Sequence, residues 1–274
     1  MPRANLLVEE IAQLPVHPGV GMRILSVLDN PRSSARDLGR LIEADPALTT
    51  QVIRLANTAF YGVSGHIGSA WRAVTVLGHS TVRALAASAA FGLLSGQGGE
   101  VPDDFWSHAT TSAAAAQTIA EVANVSSEDA FSAGMLLDLG QALMYRRSRA
   151  QYNDVVAVSV GHDVSLVIAE REKYGVSHAE VGAYALASLD FPESVVGAVR
   201  DHHGDPDLDD APLTRVMIAA AALAYHLDGG TPESHIPIER ALAALDIPIG
   251  QLPDLAATTT AALDDLSGFL TIAP

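Results

Sequence analysis

Helical periodicity is the feature of this sequence that most constrains its fold. Apolar residues recur at the three- and four-residue spacing of an α-helix along almost the whole chain, and alanine is the commonest residue. The alternation typical of half-buried strands is nearly absent. The stretch 155–160 has strand propensity, but a lone strand would have no partner, so we expect helix there as well. The sequence therefore predicts an all-α protein built from many short helices.

The charge and cysteine content exclude several classes of function. Lys and Arg number 16 against 32 Asp and Glu, which gives a formal net charge of −16. A field of that sign repels nucleic-acid phosphates and anionic lipid headgroups. The absence of cysteine excludes disulfide scaffolds, thiol catalysis and Cys-ligated metals. With no secretory signal at the start of the sequence, we expect a cytoplasmic protein that binds neither nucleic acid nor membranes.

Two breaks in composition predict how the chain is organised. The glycine-rich segment 95–102 predicts a boundary between lobe one, about 1–98, and lobe two, about 99–205. The acidic segment 204–212, which contains prolines, separates lobe two from a helical extension over 206–274. We expect this extension to pack on lobe two. The predicted architecture is a two-lobed multi-helix bundle with a C-terminal helical extension.

A series of motifs in lobe one is similar to that of a known family. The motifs are Leu14-Pro15 and Pro18, Ile42-Glu43-Ala44-Asp45-Pro46-Ala47-Leu48, Arg54-Leu55-Ala56-Asn57-Thr58-Ala59-Phe60-Tyr61-Gly62, Ile67 and Ser69, Ala73-Val74, and Leu77-Gly78-His79-Ser80-Thr81-Val82-Arg83. In this order they resemble the signature of the HDOD family, and the resemblance covers about residues 12–205. It implies an all-helical regulatory domain of bacterial signalling proteins, whose second lobe is an inactive relative of HD-type metal phosphohydrolases.

The end of the predicted helix that carries Leu55 is a candidate surface for binding a partner. Asn57 and Tyr61 lie there, and the basic residues Arg54 and Arg72 flank them. These residue types suit recognition of a protein. The alternative is that they pack the core and stop the helix, and the sequence leaves both interpretations open.

Histidines in lobe two follow the order of an HD-type metal site. The residues in question are His108, Asp138, His178, His202 and His203. The resemblance implies that in HD enzymes such residues converge on a metal, together with a His that directly precedes the Asp. Leu137 stands at that position here and has no lone pair to offer, and Gln141 stands where a Lys commonly follows. We therefore interpret the five residues as a relict pocket with no catalytic residue, no bound metal and no other cofactor.

The leading hypothesis is a non-enzymatic signalling or scaffold protein that acts through protein–protein interaction, with self-association as an option. One alternative is a metal-dependent phosphohydrolase or phosphodiesterase with a rearranged ligand set, for which Glu170 and Glu180 are candidate substitute ligands. Another is a binder of a small signalling nucleotide. Metal content and phosphodiesterase activity would separate an enzyme from a scaffold.

Overall fold

The structure is a computed structural model that describes residues 19–30, 32–63, 67–94, 101–162, 164–228 and 236–270. All regular elements among these residues are helices, so the predicted all-α fold is confirmed. The stretch 155–160 lies inside a helix, as expected. Within the described ranges, no helix has both the length and the apolar character needed to cross a membrane.

A long central helix organises the N-terminal part of the chain. The helices there are α1 (Val20–Leu28), α2 (Ala35–Ile42), α3 (Pro46–Ala56) and α4 (Ala70–Ala90), and a 3₁₀ turn (Ala59–Tyr61) follows α3. α4 bends at Gly78, and α1, α2 and α3 all pack against it. On α3, Leu55 and Ala56 are fully buried, which confirms the burial that the periodicity predicts.

Polar residues begin these helices as the sequence predicts. Ser34 and Asp37 form a capping box at the start of α2. Asp45 precedes Pro46, the first residue of α3, and its carboxylate accepts a hydrogen bond from the backbone N–H of Ala47 at 2.9 Å. These local interactions fix where α2 and α3 begin, independently of the packing around them.

Shorter helices make up most of the remaining chain. They are α5 (Phe105–Val122), α6 (Ser127–Gly134), α7 (Leu139–Arg147), α8 (Arg149–His162), α9 (Leu166–Tyr174), α10 (His178–Ala187), α11 (Glu193–Asp201), α12 (Pro212–Asp228), α13 (Ile238–Ala243) and α14 (Leu252–Leu270). α5 packs against α6 and α12, while α10 packs against α7 and α11. α9 packs against α8.

Small side chains dominate the core between α5 and α12. Ala116 and Ile119 from α5 lie in one buried cluster with Met217 and Leu223 from α12. Leu137, from the turn between α6 and α7, belongs to the same cluster. Alanine at these positions allows the helix backbones to approach closely, which explains why the alanine-rich composition suits this fold.

The described chain divides into two compact units. The described residues of 101–259 form the central unit, and those of 19–94 together with 260–270 form the N-terminal unit. The predicted boundary segment 95–102 lies mostly outside the described residues. The acidic segment 204–211 is non-helical and connects α11 to α12.

Gly140 is the residue that lets α7 and α10 pack closely. A Cβ atom at this position would lie 1.9 Å from the carbonyl oxygen of His178 and 2.8 Å from the backbone nitrogen of Gly182. Both are backbone atoms, so they cannot move away by a rotation about a side-chain bond. The absence of a side chain therefore places the start of α10 directly against the start of α7.

We expect Gly140→Ala to lower the free energy of unfolding by about 1–3 kcal/mol or more, because overpacking would force α7 and α10 apart. Urea denaturation measures the change. Gly161→Ala is the matched control, since a Cβ there meets no atom within 4 Å, and replacing an exposed helical glycine by alanine is neutral or stabilising by up to about 1 kcal/mol. Equal stability of the two variants would contradict the close approach.

Candidate metal centre

The predicted pocket residues meet at helix ends in the central unit. Asp138 immediately precedes α7, His178 is the first residue of α10, and His202 and His203 directly follow α11. His108 lies in the first turn of α5. Because these residues lie at helix ends, their side chains can converge on one point although they come from separate helices.

Four of these side chains form a compact cluster of potential metal ligands. One donor atom each from Asp138, His178, His202 and His203 lies within 4.8 Å of the others. The Nε2 atom of His178 is 2.9 Å from Nε2 of His203 and 3.4 Å from Oδ1 of Asp138. Nε2 of His202 is 3.7 Å from the same oxygen. Asp138, His178 and His202 are buried, and His203 is partly buried.

Two further residues lie against the carboxylate of Asp138, whose Oδ2 is buried without a hydrogen-bond partner among the described residues. Nε2 of His108 is 3.3 Å from Oδ2, and the His108 ring lies against Tyr225 with 5.3 Å between ring centroids. The side-chain amide of Gln141 donates to Oδ1 at 3.2 Å. Asp138 occupies the N-cap position of α7, but its side chain makes no capping hydrogen bond. The carboxylate of Asp138 therefore contacts the other residues of the cluster and does not cap α7.

A second buried layer lies behind His178. The hydroxyl of Tyr152 donates to Oε1 of Glu170 at 2.6 Å, and the backbone N–H and ring Nδ1 of His178 both lie 2.8 Å from Oε2. An ionised carboxylate only accepts, so Nδ1 carries the proton. Nδ1 of His202 likewise donates to the carbonyl of Val199 at 2.6 Å. Both rings thus direct Nε2 into the cluster.

The protonation of the cluster follows from its burial and its neighbours. Burial alone would raise the pKa of Asp138, but the imidazoles of His178 and His202 hold it well below its usual value. Burial disfavours the charged form of His178, yet Glu170 and Asp138 raise its pKa well above the usual value. Burial and the neighbouring imidazole of His202 lower the pKa of His203 well below its usual value. The neighbouring carboxylates thus favour the protonated form of His178, whereas burial favours the neutral form of His203.

The donor set fits a divalent transition metal. Zinc binds imidazole nitrogen at about 2.0–2.1 Å in a tetrahedron, so neighbouring donors are about 3.3 Å apart. Three of the six donor separations, 2.9, 3.4 and 3.7 Å, fall around this value, and all six are within 4.8 Å. The buried Nε2 atom of His202 makes no hydrogen bond, as expected of a ligand atom. A doubly charged ion would balance Asp138 and Glu170 with all three imidazoles neutral.

Leu137 does not enter this cluster. Its side chain is 1% exposed and lies in the alanine-rich core with residues such as Ala116 and Met217. The sequence predicts no bound metal because Leu137 stands where a ligand is expected. The four donors converge without any contribution from position 137, so the chain still has a set of ligands for one metal ion.

The predicted partner surface is only partly available for binding. The side-chain amide of Asn57 forms two hydrogen bonds with the backbone of Ile67. Nδ2 donates to the carbonyl of Ile67 at 2.8 Å, and the N–H of Ile67 donates to Oδ1 at 2.9 Å. Arg54 and Tyr61 are partly buried, whereas Arg72 is exposed. Asn57 therefore has a structural role in the N-terminal unit.

Arg72 is exposed and follows an exposed aromatic residue on α4. Trp71 is 40% exposed, and the guanidinium of Arg36 stands 5.5 Å from the centroid of its ring. Arg40 lies one turn further along α2 from Arg36. The stretch 46–94 contains no acidic residue, although the whole chain is strongly acidic.

The sequence gives no indication of the role of Tyr152, and its suggestion that Glu170 is a metal ligand is wrong. Glu170 lies behind His178 and outside the group of four donors. The available signal was its position on the apolar side of α9, four residues from both Leu166 and Tyr174. Glu180, the other candidate, accepts a hydrogen bond at the start of α10 and does not belong to the donor group.

The family model of the HDOD domain matches residues 14–205. The chain belongs to the HDOD family. The resemblance noted from the motifs is therefore confirmed. Of those motif residues, Leu14, Pro15 and Pro18 lie outside the residues that the structure describes.

Two solved structures share the fold of this chain, and one further protein is similar to it in sequence. A candidate phosphohydrolase from Shewanella amazonensis has a TM-score of 0.74 at 23% identity, covering 96% of this chain and 97% of that one. A candidate signal transduction protein from Marinobacter aquaeolei has a TM-score of 0.71 at 22% identity, covering 94% of this chain and 60% of that one. An uncharacterized protein of Treponema pallidum is 24% identical over 238 residues, or 85% of this chain. The chain spans 46% of the length of that relative.

We expect Asn57→Ala to lower the free energy of unfolding by about 1–3 kcal/mol, because it removes both hydrogen bonds that hold the backbone of Ile67. Arg72→Ala, at an exposed position, is the control and should change stability by less than about 0.5 kcal/mol. Urea denaturation of both variants provides the measurement. If Asn57→Ala is as stable as the control, the amide is not structural and returns as a candidate for partner recognition.

Proposed function

We propose that this HDOD protein is a signal-transduction regulator that holds one divalent metal ion in its central unit and does not hydrolyse phosphodiesters. The observation that carries the proposal is the convergence of one carboxylate and three imidazoles, from Asp138, His178, His202 and His203, on one mostly buried point. Membership of the HDOD family supports the regulatory role.

The number of donors argues against hydrolysis. Structural zinc sites are closed by four protein ligands, whereas catalytic sites keep one position for a water molecule. Asp138, His178, His202 and His203 would supply the four protein ligands of such a closed site. When bound, the metal would supply stability by joining the ends of α7, α10 and α11. Asp138, His178 and His202 are also buried and so do not face a substrate from solvent.

The groups that would support a rearranged phosphohydrolase are engaged elsewhere. Gln141 is neutral and donates to Asp138, so it offers no cation to a phosphate. The carboxylate of Glu170 is taken by Tyr152 and His178. Glu180 accepts hydrogen bonds from Ser177 at the start of α10.

For the protein purified without chelator, we expect about one equivalent of transition metal and no turnover of bis(p-nitrophenyl) phosphate. Elemental analysis and a colorimetric assay measure the two. Asp138→Asn and His202→Ala should lose most of the metal, whereas His226→Ala, an exposed histidine on α12, should keep it. Chelation should also lower the melting temperature, since a ligand at 1,000 times its Kd stabilises by about 4 kcal/mol.

Other outcomes would reject parts of this proposal. A protein without bound metal, even after addition of zinc, would restore the interpretation of the cluster as a relict pocket. Turnover that requires metal and disappears in Asp138→Asn would identify the protein as a phosphohydrolase with a rearranged ligand set.

For signal output, we propose that a protein partner with an acidic surface binds around Trp71 and Arg72. Tryptophan and arginine are the residue types that most often dominate binding energy at interfaces, and the absence of acidic residues over 46–94 favours an acidic partner. The exposed Trp71 ring, with Arg36 beside it, supplies the contact area.

Affinity capture from cell extract at rising salt tests this output. We expect the captured partner to decrease with salt and to be lost in the Trp71→Ala/Arg72→Ala double variant. The matched control is Ile168→Ala/Lys173→Ala, an exposed apolar and basic pair on α9 of the central unit. Equal loss in the control, or loss only in Asp138→Asn, would contradict binding at Trp71 and Arg72.

A further inference from the structure

Glu170 is a fully buried carboxylate whose oxygen atoms are both occupied. Oε1 accepts the hydroxyl of Tyr152, and Oε2 accepts the backbone N–H and the ring Nδ1–H of His178. Three donors converge on one carboxylate, and none comes from solvent. Neither oxygen reaches the four-donor cluster, so the carboxylate acts on the ligand and not on the ion.

Burying the carboxylate of Glu170 behind His178 costs free energy, so its presence there indicates a role that a neutral group would not fill. Taking a carboxylate out of water is unfavourable, and a neutral acceptor would hold the ring of His178 without that cost. The ring of His202 shows the neutral solution, since its Nδ1 donates to the carbonyl of Val199. What a carboxylate adds is a stronger pull on the Nδ1 proton, which makes Nε2 a better electron-pair donor.

The position of His178 in the chain explains why one residue can fix both its ring and its backbone. His178 is the first residue of α10, so its backbone N–H has no acceptor within the helix. Glu170 supplies that acceptor from α9 through the same oxygen that receives the ring proton. The start of α10 and the orientation of the ligand are thereby coupled.

We infer that Glu170, supported by Tyr152, is a positioning residue that fixes the ring and the tautomer of His178 so that Nε2 faces the metal. This inference rests on the proposed metal centre. It assigns Glu170 and Tyr152 to the site as a layer behind the ligands, which tunes how tightly the ion is held.

The test is zinc affinity, measured by competition with a chromophoric chelator on the full chain. We expect Glu170→Gln, which keeps the shape and removes the charge, to weaken zinc binding by about 10- to 100-fold. Tyr152→Phe should cause a smaller loss in the same direction. Glu172→Gln makes the same chemical change at an exposed position of α9 and should leave the affinity unchanged.

A spectroscopic measurement distinguishes positioning from general stability. In the zinc-loaded wild-type protein, ¹⁵N NMR of the His178 ring should show a protonated Nδ1 and a metal-bound Nε2. In cobalt-loaded protein, Glu170→Gln should shift the visible absorption bands, whereas Glu172→Gln should not. A role in folding alone would lower stability to urea without moving these bands.

The outcomes separate this inference from the proposed function. If the wild-type protein binds no zinc, the metal centre itself is rejected. If the wild-type protein binds one equivalent and Glu170→Gln binds it equally tightly, the positioning role is rejected and the metal centre stands. If Glu170→Gln does not fold, unchanged affinity in Tyr152→Phe or a protonated Nε2 on His178 in the zinc-loaded wild type overturns the inference.

Discussion

Two buried carboxylates that flank one imidazole set the requirements for the central unit. Asp138 lies near Nε2 of His178 and Glu170 binds its Nδ1, and neither carboxylate is tolerated away from water without such compensation. To satisfy both, the starts of α7 and α10 must meet, which the missing side chain of Gly140 permits. The helix arrangement and the electrostatics of the cluster therefore depend on each other.

Leu137 contributes no donor to the cluster of four potential ligands. With Leu137 turned into the alanine-rich core, the remaining donors suit one enclosed ion, and the layer of Glu170 and Tyr152 holds His178 from behind. Hydrolysis requires an open coordination position, whereas structural binding requires that none is left.

In the N-terminal unit, motif residues serve the fold more than recognition. Asp45 caps α3, Asn57 holds the backbone of Ile67, and Gly62 ends the 3₁₀ turn with a positive φ of 65° that favours glycine. The side chains that are exposed for contact with a partner are instead arginines and Trp71, which take no part in these hydrogen bonds. A family signature of this kind therefore reports a backbone conformation and does not by itself locate a binding site.

Helical class, helix starts such as those at Ser34 and Asp45, and the order of the pocket residues could all be predicted from the sequence. The first two depend on side chains within a few positions, where hydrogen-bond geometry and periodicity are local. The order of the pocket residues is instead what the resemblance to HD-type enzymes implies. Only the tertiary structure decided that Leu137 lies in the core and that Glu170 stands behind His178. Those outcomes depend on how separate helices pack, which no local pattern encodes, because the contacts join residues far apart in the chain.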